Sequence, residues 1–401
     1  MKIAIYSGAI PSATFIEHLI KGISQTEQVI LFGTLNKKVF KPYLSENISI
    51  HHNEVNKFKN VLLTTYRLIK LSIFYPSRLL PLLSELSRYS RAYNKWVYLS
   101  KFVPMVLYKP DILHIQWAKD IQHYAFLKNA YGIKIILSLL GSHINYSPIA
   151  NKQLAAEYRK WFPKLDAFHA VSEAIKIEAQ KYNAILNKTV VIRSPIPELF
   201  FDAYKPFVIE RNQNFIKLVS VGRFHWVKGI TYAVHAVAIL KQRGYNVCYT
   251  IIGGETPSEE ILFLIEDLGL QNDIHLIPGI DQELLIELLK NQNIFILPSI
   301  MEGIANVVLE AMAIGLPVLS TDCGGMSEVV KTSETGWLLP KRSASAIADG
   351  VENIIATKED ELHSITKNAH NLVKRFYSAN NSIDEFSKLY HDVVNNNFKV
   401  V

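Results

Sequence analysis

The sequence predicts an α/β protein with two doubly wound domains, each built on a parallel sheet with helices on both faces. Short apolar runs alternate with segments of helical periodicity almost throughout the chain. This alternation occurs twice, on either side of a proline-rich stretch, and such alternation builds parallel sheets. The chain has 401 residues, of which 49% are hydrophobic and only 20% charged, and this is enough for two folded domains.

Apolar runs in the first half of the chain predict buried strands. A strand covered on both faces is apolar almost throughout, whereas an amphipathic helix repeats its apolar positions every three or four residues. The predicted strands are Lys2–Tyr6, Val29–Phe32, Ile112–Gln116, Lys134–Leu139 and Ala167–Ala170. Helical periodicity predicts helices between them, for example over Thr14–Ser24 and Lys152–Phe162.

The second half repeats the same pattern. Its predicted strands are Ile216–Val221, Val247–Ile252, Ile274–Pro278, Ile294–Leu297 and Pro317–Ser320. The predicted helices between them lie near Gly229–Arg243, Ser258–Leu268, Gln282–Lys290 and Asn306–Ile314. Ligands of doubly wound sheets bind at the carboxyl ends of the strands, so we expect a site at those ends, in a cleft between the domains.

Three prolines separate the two halves. Pro195, Pro197 and Pro206 interrupt regular structure, so we predict a first domain over residues 1–195, a linker over 196–215 and a second domain over 216–378. Residues 379–401 would form a terminal helix that packs back on the first domain, because Asn380–Val394 is amphipathic. The apolar side chains on one side of this segment are Ile383, Phe386, Leu389, Tyr390 and Val393.

Composition argues against several classes of protein. Cys248 and Cys323 cannot form a disulfide framework or a zinc site, and each is expected to be a small buried side chain. The apolar run in Met1–Gly8 is too short for a signal peptide and predicts a strand that reaches a glycine turn. Since no segment offers the ~20 uninterrupted apolar residues of a membrane span, we expect a soluble, cytoplasmic protein.

Positive charge is concentrated in one part of the chain. The window Lys57–Lys109 holds ten basic residues and one acid, a net charge of +9 against +7 for the whole chain. The window is also rich in apolar residues, and Arg88, Arg91 and Lys95 are spaced to share a helical face. This combination predicts a surface that rests on anionic lipid at the inner face of the membrane, with a solvated helical face as the alternative. A nucleic-acid partner is not predicted, because no binding motif accompanies the charge.

Three loops at the ends of predicted strands carry candidate chemistry. The first, Val221–Gly229, places Arg223 and Lys228 between a strand and a helix. A guanidinium fork, a compact ammonium and the free N–H groups of a helix start suit a diphosphate. Two cations that are merely solvated are the alternative.

The second loop contains two acids. Glu302 lies in the loop, and Glu310 lies about one turn into the helix that follows. Carboxylates pair with vicinal hydroxyls, as in ribose recognition, and Gly303 and Ala305 let backbone amides approach a ligand. The alternatives are an ordinary surface glutamate for Glu310 and an acid that stabilises the helix dipole for Glu302.

The third loop, Ser320–Glu328, is by itself only a Gly-Gly turn before a helix cap. Together with Gly-Arg-x4-Lys-Gly and Glu302-x7-Glu310, it makes the chain similar to the retaining glycosyltransferases of family 4, glycosyl transferases group 1. The resemblance is dense over Ser220–Leu339 and weak in the first domain. It implies the GT-B fold, in which two Rossmann-like domains face a cleft and a C-terminal helix crosses back to an acceptor-binding N-terminal domain.

The resemblance also implies roles for individual residues. Arg223 and Lys228 would hold the diphosphate of a nucleotide-sugar donor and stabilise the leaving group. Glu302 would contact the donor sugar, and Glu310 would bind the ribose. No metal or other cofactor is implied, since two cations replace the metal and the sequence has no Asp-x-Asp motif. The further donor-binding residues that the resemblance implies are Gly8, Gly222, Gly253, Gly279, Gly303, Ile304, Ala305, Asn306 and Val307.

The first domain departs from the family's pattern. Its first turn, Ser7–Pro11, has one glycine where many members have two. In Leu139–Asn145, leucine and histidine replace the histidine and aspartate of a His-Gly-x-Asp segment. Ser142 and His143 are therefore candidates for contact with the sugar or the acceptor, and a structural role is the alternative for His143. The histidines expected to be satisfied in the core or at the surface are His114, His169 and His225.

The resemblance implies a retaining glycosyltransferase of the hexosyltransferase type in cell-surface polysaccharide biosynthesis. It would move a sugar from a nucleotide-diphosphate donor to a glycan or a polyprenyl-diphosphate-linked acceptor. A sugar-nucleotide epimerase or hydrolase with the same fold is one alternative, but the sequence shows no additional acid–base set in the first domain. A non-catalytic nucleotide-sugar-binding protein is the other, which the altered segment around His143 leaves open.

Overall fold

The computed structural model describes residues 1–208, 215–254 and 256–398. The chain divides into two compact units, called here the first domain (Met1–Ile192 with Ser382–Val401) and the second domain (Arg193–Asn381). Residues 209–214 of the predicted linker and residues 399–401 of the predicted terminal segment lie outside the described residues. The expected linker is not wholly irregular, because a short helix begins at Glu198 within the second domain.

A parallel sheet forms the centre of the first domain. Its strands are β1 Lys2–Ile10, β2 Gln28–Leu35, β3 Ile48–Ile50, β4 Ile112–Ile115, β5 Lys134–Leu139, β6 Ala167–Ala170 and β7 Thr189–Val191. Within the described residues they lie in the order β3-β2-β1-β4-β5-β6-β7, and all pairs are parallel. The strands predicted from apolar runs are all present. The edge strands β3 and β7 were not predicted, because three residues are too few to show a period.

Helices cover both faces of this sheet. They are α1 Thr14–Ile23, α2 Lys57–Phe74, α3 Leu79–Leu86, α4 Ala92–Tyr108, α5 Ile121–Tyr124, α6 Phe126–Tyr131, α7 Gly141–Asn145, α8 Ser147–Ala150, α9 Lys152–Trp161 and α10 Glu173–Ala179. Short 3-10 turns occupy Pro76–Arg78, Ala118–Asp120, Phe162–Lys164, Gln180–Tyr182 and Leu186–Lys188. The side chains of β1 alternate between two cores: Ile5 packs in the core that contains Ile16 of α1, and Ala4 packs in the core that contains Phe102 of α4.

Strand β1 continues through Gly8, so the glycine turn predicted there is wrong. The pairing of β1 with β2 shifts register between Tyr6 and Gly8, which is a β-bulge. Gly8 has a φ of +84°, in the region that favours glycine. A Cβ on Gly33, the partner of Gly8 in β2, would lie 2.9 Å from the Gly8 backbone. Glycine at both positions therefore permits the bulge and the close approach of the two strands.

The predicted helical face of Arg88, Arg91 and Lys95 is also wrong. Arg88 lies in the connection between α3 and α4, and Arg91 occupies the N-cap of α4. The hydroxyl of Ser87 donates a hydrogen bond to the carbonyl oxygen of Ser84 at 2.7 Å. Such a local bond competes with continuation of a helix, so the chain leaves α3 before Arg88, and only Arg91 and Lys95 lie at α4.

The second domain contains another parallel sheet. Its strands are β8 Ile216–Val221, β9 Val247–Gly253, β10 Ile274–Pro278, β11 Ile294–Leu297, β12 Val318–Thr321 and β13 Trp337–Leu339. In the described part of the chain their order is β10-β9-β8-β11-β12-β13, with parallel pairing throughout. Every strand predicted for this half is present, and the short strand β13 was not predicted.

The remaining helices belong to the second domain, except for the last. They are α11 Glu198–Asp202, α12 Ile230–Gln242, α13 Glu259–Asp267, α14 Gln282–Lys290, α15 Asn306–Ile314, α16 Ala344–Ala356, α17 Glu359–Phe376 and α18 Ala379–Val394, with 3-10 turns at Trp226–Lys228 and Met326–Glu328. From Ser382 onward α18 belongs to the first domain. It packs closely on α1, since a Cβ on Gly22 would lie 2.2 Å from the Cδ1 atom of Ile383. None of the helices in the described ranges has the length and hydropathy needed to cross a bilayer.

A row of buried polar side chains crosses the first sheet and reaches α18. His114 forms hydrogen bonds with Tyr390 Oη through Nδ1 at 2.8 Å and with Ser138 Oγ through Nε2 at 2.9 Å. Ser138 Oγ also pairs with His169 Nδ1 at 2.9 Å, and His169 Nε2 donates to the carbonyl oxygen of Ile192 at 2.9 Å. Burial lowers the pKa of His114 and brings the pKa of His169 to about 4. The prediction that these histidines are satisfied in the core is confirmed.

Candidate functional site

Three loops lie side by side at the carboxyl edge of the second sheet. Strand β11 pairs with β8 on one side and with β12 on the other, all in parallel. The loops that follow Val221, Leu297 and Thr321 therefore leave the sheet at the same edge. These are the loops that the sequence marks as carrying Arg223, Lys228 and the acids.

Two glycines lock these loops together. A Cβ on Gly229, which has a φ of +62°, would lie 2.1 Å from the carbonyl oxygen of Pro298 in the β11 loop. A Cβ on Gly324, which has a φ of +60°, would lie 1.9 Å from the carbonyl oxygen of Glu302. Both the backbone conformation and the space therefore require glycine. The three loops form one closely packed unit.

Lys228 and Glu302 meet between the first two loops. The Lys228 ammonium donates to Glu302 Oε1 at 2.7 Å, and the exposed fractions of the two side chains are 18% and 13%. The hydroxyl of Ser299 donates to the same carboxylate oxygen at 2.7 Å. An ammonium has two further hydrogens, so Lys228 is held in a fixed position and retains capacity to bind an anion.

Local structure positions the Lys228 side chain. Lys228 ends a 3-10 turn whose N-cap is His225, and His225 Nδ1 accepts a hydrogen bond from the N–H of Val227 at 3.3 Å. The expectation that His225 is satisfied is therefore confirmed. A Cβ on Gly222 would lie 3.3 Å from Lys228 Cε, so the glycine leaves room for the lysine stem.

Glu310 lies one turn into α15 and is half-buried. Its carboxyl forms no hydrogen bond or ion pair with any side chain or backbone group in the described ranges, and burial raises its pKa to about 7. A half-buried acid without a partner is costly for the fold. Such a group is a candidate for contact with a ligand.

The other predicted residues of the second domain surround these groups. Arg223 is exposed in the loop after β8 and, within the described residues, forms no ion pair. Asn306 and Val307 are the first residues of α15, where backbone N–H groups lack partners within the helix. Ala305 occupies the N-cap of α15, and its N–H points at the sulfur of Met326 at 3.4 Å. Gly303 accepts a hydrogen bond through its carbonyl oxygen from the N–H of Gly325 at 2.9 Å.

Gly253 and Gly279 lie at the carboxyl ends of neighbouring strands of the same sheet. A Cβ on Gly253, the last residue of β9, would lie 2.0 Å from the ring of Phe224. A Cβ on Gly279, which follows β10, would lie 3.3 Å from the Cα of Gly254. Packing alone requires the first glycine, and the contact of both with a donor base stays a prediction.

Sequence reasoning missed two hydroxyl groups of this site. Ser299 stands three positions before Glu302, the Ser-x-x-Glu spacing of a capping box, so the sequence held a signal for it, although here the hydroxyl donates to the carboxylate itself. Thr321 Oγ1 donates to the carbonyl oxygen of Ser299 at 2.5 Å. This bond joins residues 22 positions apart, and only the order of the strands reveals it.

The first domain holds the remaining predicted residues. His143 lies on α7, its ring is 5.4 Å from the ring of Trp117, and its buried Nδ1 has no hydrogen-bond partner in the part of the chain that is described. Burial and the nearby Lys119 lower its pKa to about 4, so the imidazole is neutral at pH 7. Ser142 is half-buried beside it. Contact of either residue with a sugar, and of Gly8 with the donor, stays a prediction.

Burial raises the pKa of both cysteine thiols. Cys323 is buried, as expected, and burial raises its pKa to about 12, which keeps the thiol protonated. Cys248 is only half-buried on β9. Across the described ranges, no cluster of three or more His, Cys, Asp or Glu side chains has the arrangement of a metal site.

Part of the second domain matches a known family. Residues 203–372 match the family Glycosyl transferases group 1. The amylovoran biosynthesis glycosyltransferase AmsK of Erwinia amylovora is 37% identical over 139 residues, which are 33% of this chain and 34% of AmsK. The capsular polysaccharide biosynthesis glycosyltransferase CapM of Staphylococcus aureus is 30% identical over 185 residues, which are 45% of this chain and 47% of CapM. The chain thus spans less than half of the length of these curated relatives.

Solved structures share the fold over nearly the whole chain. A glycosyltransferase from Rickettsia africae aligns with a TM-score of 0.70 at 18% identity and covers 98% of this chain and 99% of its own. HepE of Anabaena, in complex with UDP, aligns with a TM-score of 0.68 at 15% identity and covers 98% of this chain and 100% of its own. At these identities the likeness concerns the fold alone. It confirms the predicted α/β architecture of two Rossmann-like domains of the GT-B type.

Proposed function

We propose that the chain is a glycosyltransferase of retaining family 4 that uses a nucleotide-diphosphate sugar as donor, because residues 203–372 match the family Glycosyl transferases group 1. The observation that carries this proposal is the pair of Lys228 and Glu302, fixed at 2.7 Å by interlocked loops of one sheet edge. Glu310, an acid without a partner on the adjoining helix, supports it further.

The proposed reaction breaks the bond between C1 of the donor sugar and the diphosphate oxygen. Lys228, Arg223 and the N–H groups at the start of α15 would stabilise the charge that develops on the departing diphosphate. The acceptor hydroxyl oxygen would form the new bond to C1 on the face that the diphosphate leaves, and its proton would pass to the diphosphate. Glu302 would hold Lys228 in place before the donor binds and contact the donor sugar. These roles need no metal ion.

The names of relatives support a role in cell-surface polysaccharide biosynthesis. AmsK is an amylovoran biosynthesis enzyme and CapM a capsular polysaccharide biosynthesis enzyme. We therefore propose that the acceptor is a growing glycan or its polyprenyl-diphosphate-linked form. The HepE structure in complex with UDP supports a nucleotide-diphosphate donor.

An assay of nucleoside diphosphate release tests this function against its alternatives. The full chain is incubated with a panel of nucleotide sugars, with and without membrane extract, in buffer containing EDTA. A transferase releases nucleoside diphosphate only when acceptor is present, and it remains active in EDTA. A hydrolase releases it without extract, an epimerase interconverts the sugars, and a non-catalytic binding protein does neither.

The substitution Glu310→Gln should weaken donor binding and stabilise the free protein. Loss of a charge-assisted hydrogen bond to ribose should raise the dissociation constant for the nucleoside diphosphate about tenfold. Burial raises the pKa of Glu310 to about 7 from 4.5. The contribution of the protonated Glu310 carboxyl to the free energy of unfolding is therefore fully present below pH 4.5 and is lost as the pH rises through 7. At pH 8 the Glu310→Gln variant has a neutral side chain at this position instead of a half-buried charge. Its free energy of unfolding without ligand should therefore exceed that of the wild type by about 1–3 kcal/mol.

Urea unfolding at pH 8 and titration with UDP, GDP, ADP and dTDP measure the two effects separately. Glu283→Gln on α14, an exposed acid in the same domain, is the matched control and should change neither quantity. Unchanged nucleotide affinity of the Glu310→Gln protein would remove Glu310 from the donor site.

We also propose that the first domain rests on an anionic membrane through one face of α2. The α2 face consists of Phe58, Leu62, Tyr66, Ile69 and Ile73, which recur at helical spacing and are each more than half exposed. The opposite side of the helix is buried. A contiguous exposed apolar face of this size is typical of an interaction surface.

The positive charge near the α2 face favours anionic lipid as its partner. Lys59 and Lys70 are exposed on the same helix, and the window that contains it carries a net charge of +9. Each cation near an anionic surface contributes about 1 kcal/mol of attraction. An apolar face bordered by cations lies in the headgroup region of a bilayer, which supports a location at the inner face of the membrane.

Replacing two members of the α2 face should release the protein from anionic vesicles. We expect Leu62→Gln/Ile69→Gln to lower partitioning onto phosphatidylglycerol vesicles at least about tenfold, since the membrane would no longer cover two apolar side chains. The matched control is Leu262→Gln/Phe263→Gln on α13, where two apolar residues are also exposed. Cosedimentation that is equal for the first variant and the wild type would contradict the proposed surface.

A further inference from the structure

Two buried hydroxyl groups adjoin the ion pair of Lys228 and Glu302. Ser299 and Thr321 have exposed fractions of 0% and 1%. Ser299 lies two residues after the end of β11, and Thr321 is the last residue of β12. Burying a hydroxyl costs free energy unless it is hydrogen-bonded, so the partners of these two groups indicate what they do in the site.

The Ser299 hydroxyl holds the Glu302 carboxylate. It donates to Glu302 Oε1 at 2.7 Å, and the same oxygen accepts from the Lys228 ammonium at 2.7 Å. Hydrogen bonds to an ionised group are shorter and stronger than those between neutral groups. One donor comes from the loop after β8 and the other from the loop after β11, so the carboxylate is anchored to both loops.

The Thr321 hydroxyl holds the backbone of Ser299. Its Oγ1 lies 2.5 Å from the carbonyl oxygen of Ser299 and 3.2 Å from that of Leu297. The backbone pairing of β11 with β12 ends at Leu297 and Ser320. The Thr321 side chain therefore continues the connection between the two segments beyond their last paired residues, where the sheet itself no longer fixes the loop.

These contacts join the three loops in one series of hydrogen bonds. Thr321 holds Ser299, and Ser299 holds Glu302. Glu302 in turn holds Lys228. A group that acts on a reacting molecule must be held within about 0.5 Å of its productive position by neighbours that are themselves fixed. Because both hydroxyls are buried and donated within the protein, they act on a bound donor only through Glu302 and Lys228.

We propose that Ser299 and Thr321 are positioning residues for sugar transfer. They hold the Glu302 carboxylate and, through it, the Lys228 ammonium in the positions from which these groups act. The inference rests on the proposed function, since that function assigns Glu302 and Lys228 to the donor. Neither hydroxyl contributes charge to the site. Their loss should therefore lower the rate of transfer and leave donor binding nearly unchanged, because a displacement of about 1 Å costs rate steeply.

The substitution Ser299→Ala tests the first of these residues. Loss of one charge-assisted hydrogen bond should lower kcat about tenfold, while KM for the nucleotide sugar changes less than about threefold because the charges remain. Steady-state release of nucleoside diphosphate with acceptor present measures both constants. Thermal unfolding confirms that the variant is folded at the assay temperature.

A double-mutant cycle with Glu302→Ala separates positioning from any other role of Ser299. If the hydroxyl acts through Glu302, adding Ser299→Ala to the Glu302→Ala protein should lower kcat no further. The slow rates of these proteins are measured over long incubations at high enzyme concentration. Losses that multiply, with a further decrease of about tenfold in the double variant, would contradict action through Glu302.

A pair of substitutions tests Thr321. Thr321→Val removes the hydroxyl at nearly constant shape and should lower kcat about fivefold, whereas Thr321→Ser keeps the hydroxyl and should retain most of the wild-type rate. Thr335→Val is the matched control, because this buried hydroxyl lies outside the three loops and donates to the carbonyl oxygen of Val329 at 2.7 Å. It should leave kcat and KM unchanged. Equal rates for Thr321→Val and Thr321→Ser would contradict the role of the Thr321 hydroxyl.

Hydrogen–deuterium exchange of the ligand-free variants gives a readout that does not depend on turnover. Ser299→Ala should speed exchange in residues 222–230, which contain Lys228, whereas Thr335→Val should not. Faster exchange in Ser299→Ala, without nucleoside diphosphate release by the wild type, would contradict the proposed function alone. Release by the wild type together with unchanged exchange, or with an unchanged kcat of Ser299→Ala, would contradict the positioning role alone.

Discussion

Replacing Lys228 with alanine is expected to lower the rate of sugar transfer by roughly 10²–10³-fold, the loss typical of removing one preorganised group that stabilises a developing negative charge. The ammonium lies 2.7 Å from Glu302 and is mostly buried, so its position is fixed by the protein. Steady-state rates of nucleoside diphosphate release, with acceptor present, measure the effect.

A control must separate this effect from loss of stability, because the substitution also leaves Glu302 without its cation. Removing one partner of a half-buried pair should cost about 1–3 kcal/mol of unfolding free energy. Lys241→Ala removes another ion-paired lysine of the same domain, the partner of Asp273, and should leave the transfer rate unchanged. A Lys228→Ala protein that is folded and transfers sugar at the wild-type rate would refute the role of Lys228. Glu302→Gln should likewise lower the rate.

Gly324→Ala should both destabilise the second domain and abolish donor binding. The new Cβ would lie 1.9 Å from the carbonyl oxygen of Glu302, at a φ of +60°. Left-handed backbone strain alone costs about 1–3 kcal/mol, and the collision would push the β11 loop, with Glu302, away from Lys228. We expect a loss of about 3 kcal/mol or more in unfolding free energy, with no measurable nucleotide binding.

Gly269→Ala is the matched control for this prediction. Gly269 has a φ of +66° in the same domain, but a Cβ there would meet no atom within 4 Å. This variant should show the strain cost alone and bind nucleotide normally. Equal stability and equal nucleotide affinity of the Gly324→Ala and Gly269→Ala proteins would contradict the interlocked loops.

The sequence was sufficient to predict the sheets because buried parallel strands are continuous apolar runs. Strands such as Lys134–Leu139 and Ile216–Val221 have the predicted bounds. The three-residue strands Ile48–Ile50 and Trp337–Leu339 escaped prediction, since so short a segment has no period and forms only by pairing with a strand already in place.

The candidate site was predictable in its residues but not in its contacts. Spacing placed Lys228 and Glu302 in loops at strand ends, yet their ion pair joins positions 74 residues apart. It depends on β8 and β11 being neighbours in the sheet. The sequence gives no direct signal of strand order. Thr321 could not be predicted either, because its hydrogen bond to Ser299 links two adjacent loops and also depends on the strand order.

In the first domain, a prediction from residue spacing alone was wrong. A spacing of three and four residues predicted one helical face for Arg88, Arg91 and Lys95, but the chain leaves helical structure at Ser87. Helical spacing therefore indicates a shared face only where nothing interrupts the helix.

Hydrogen–deuterium exchange with a nucleoside diphosphate bound tests the central claim most directly, because it locates the ligand without any substitution. The full chain is measured alone and with saturating UDP, GDP, ADP or dTDP. We predict that at least one of them slows exchange in residues 222–230 and 298–310, the loops and helix start that carry Lys228, Glu302 and Glu310. Protection confined to other segments, or no protection with any of the four, would contradict the account.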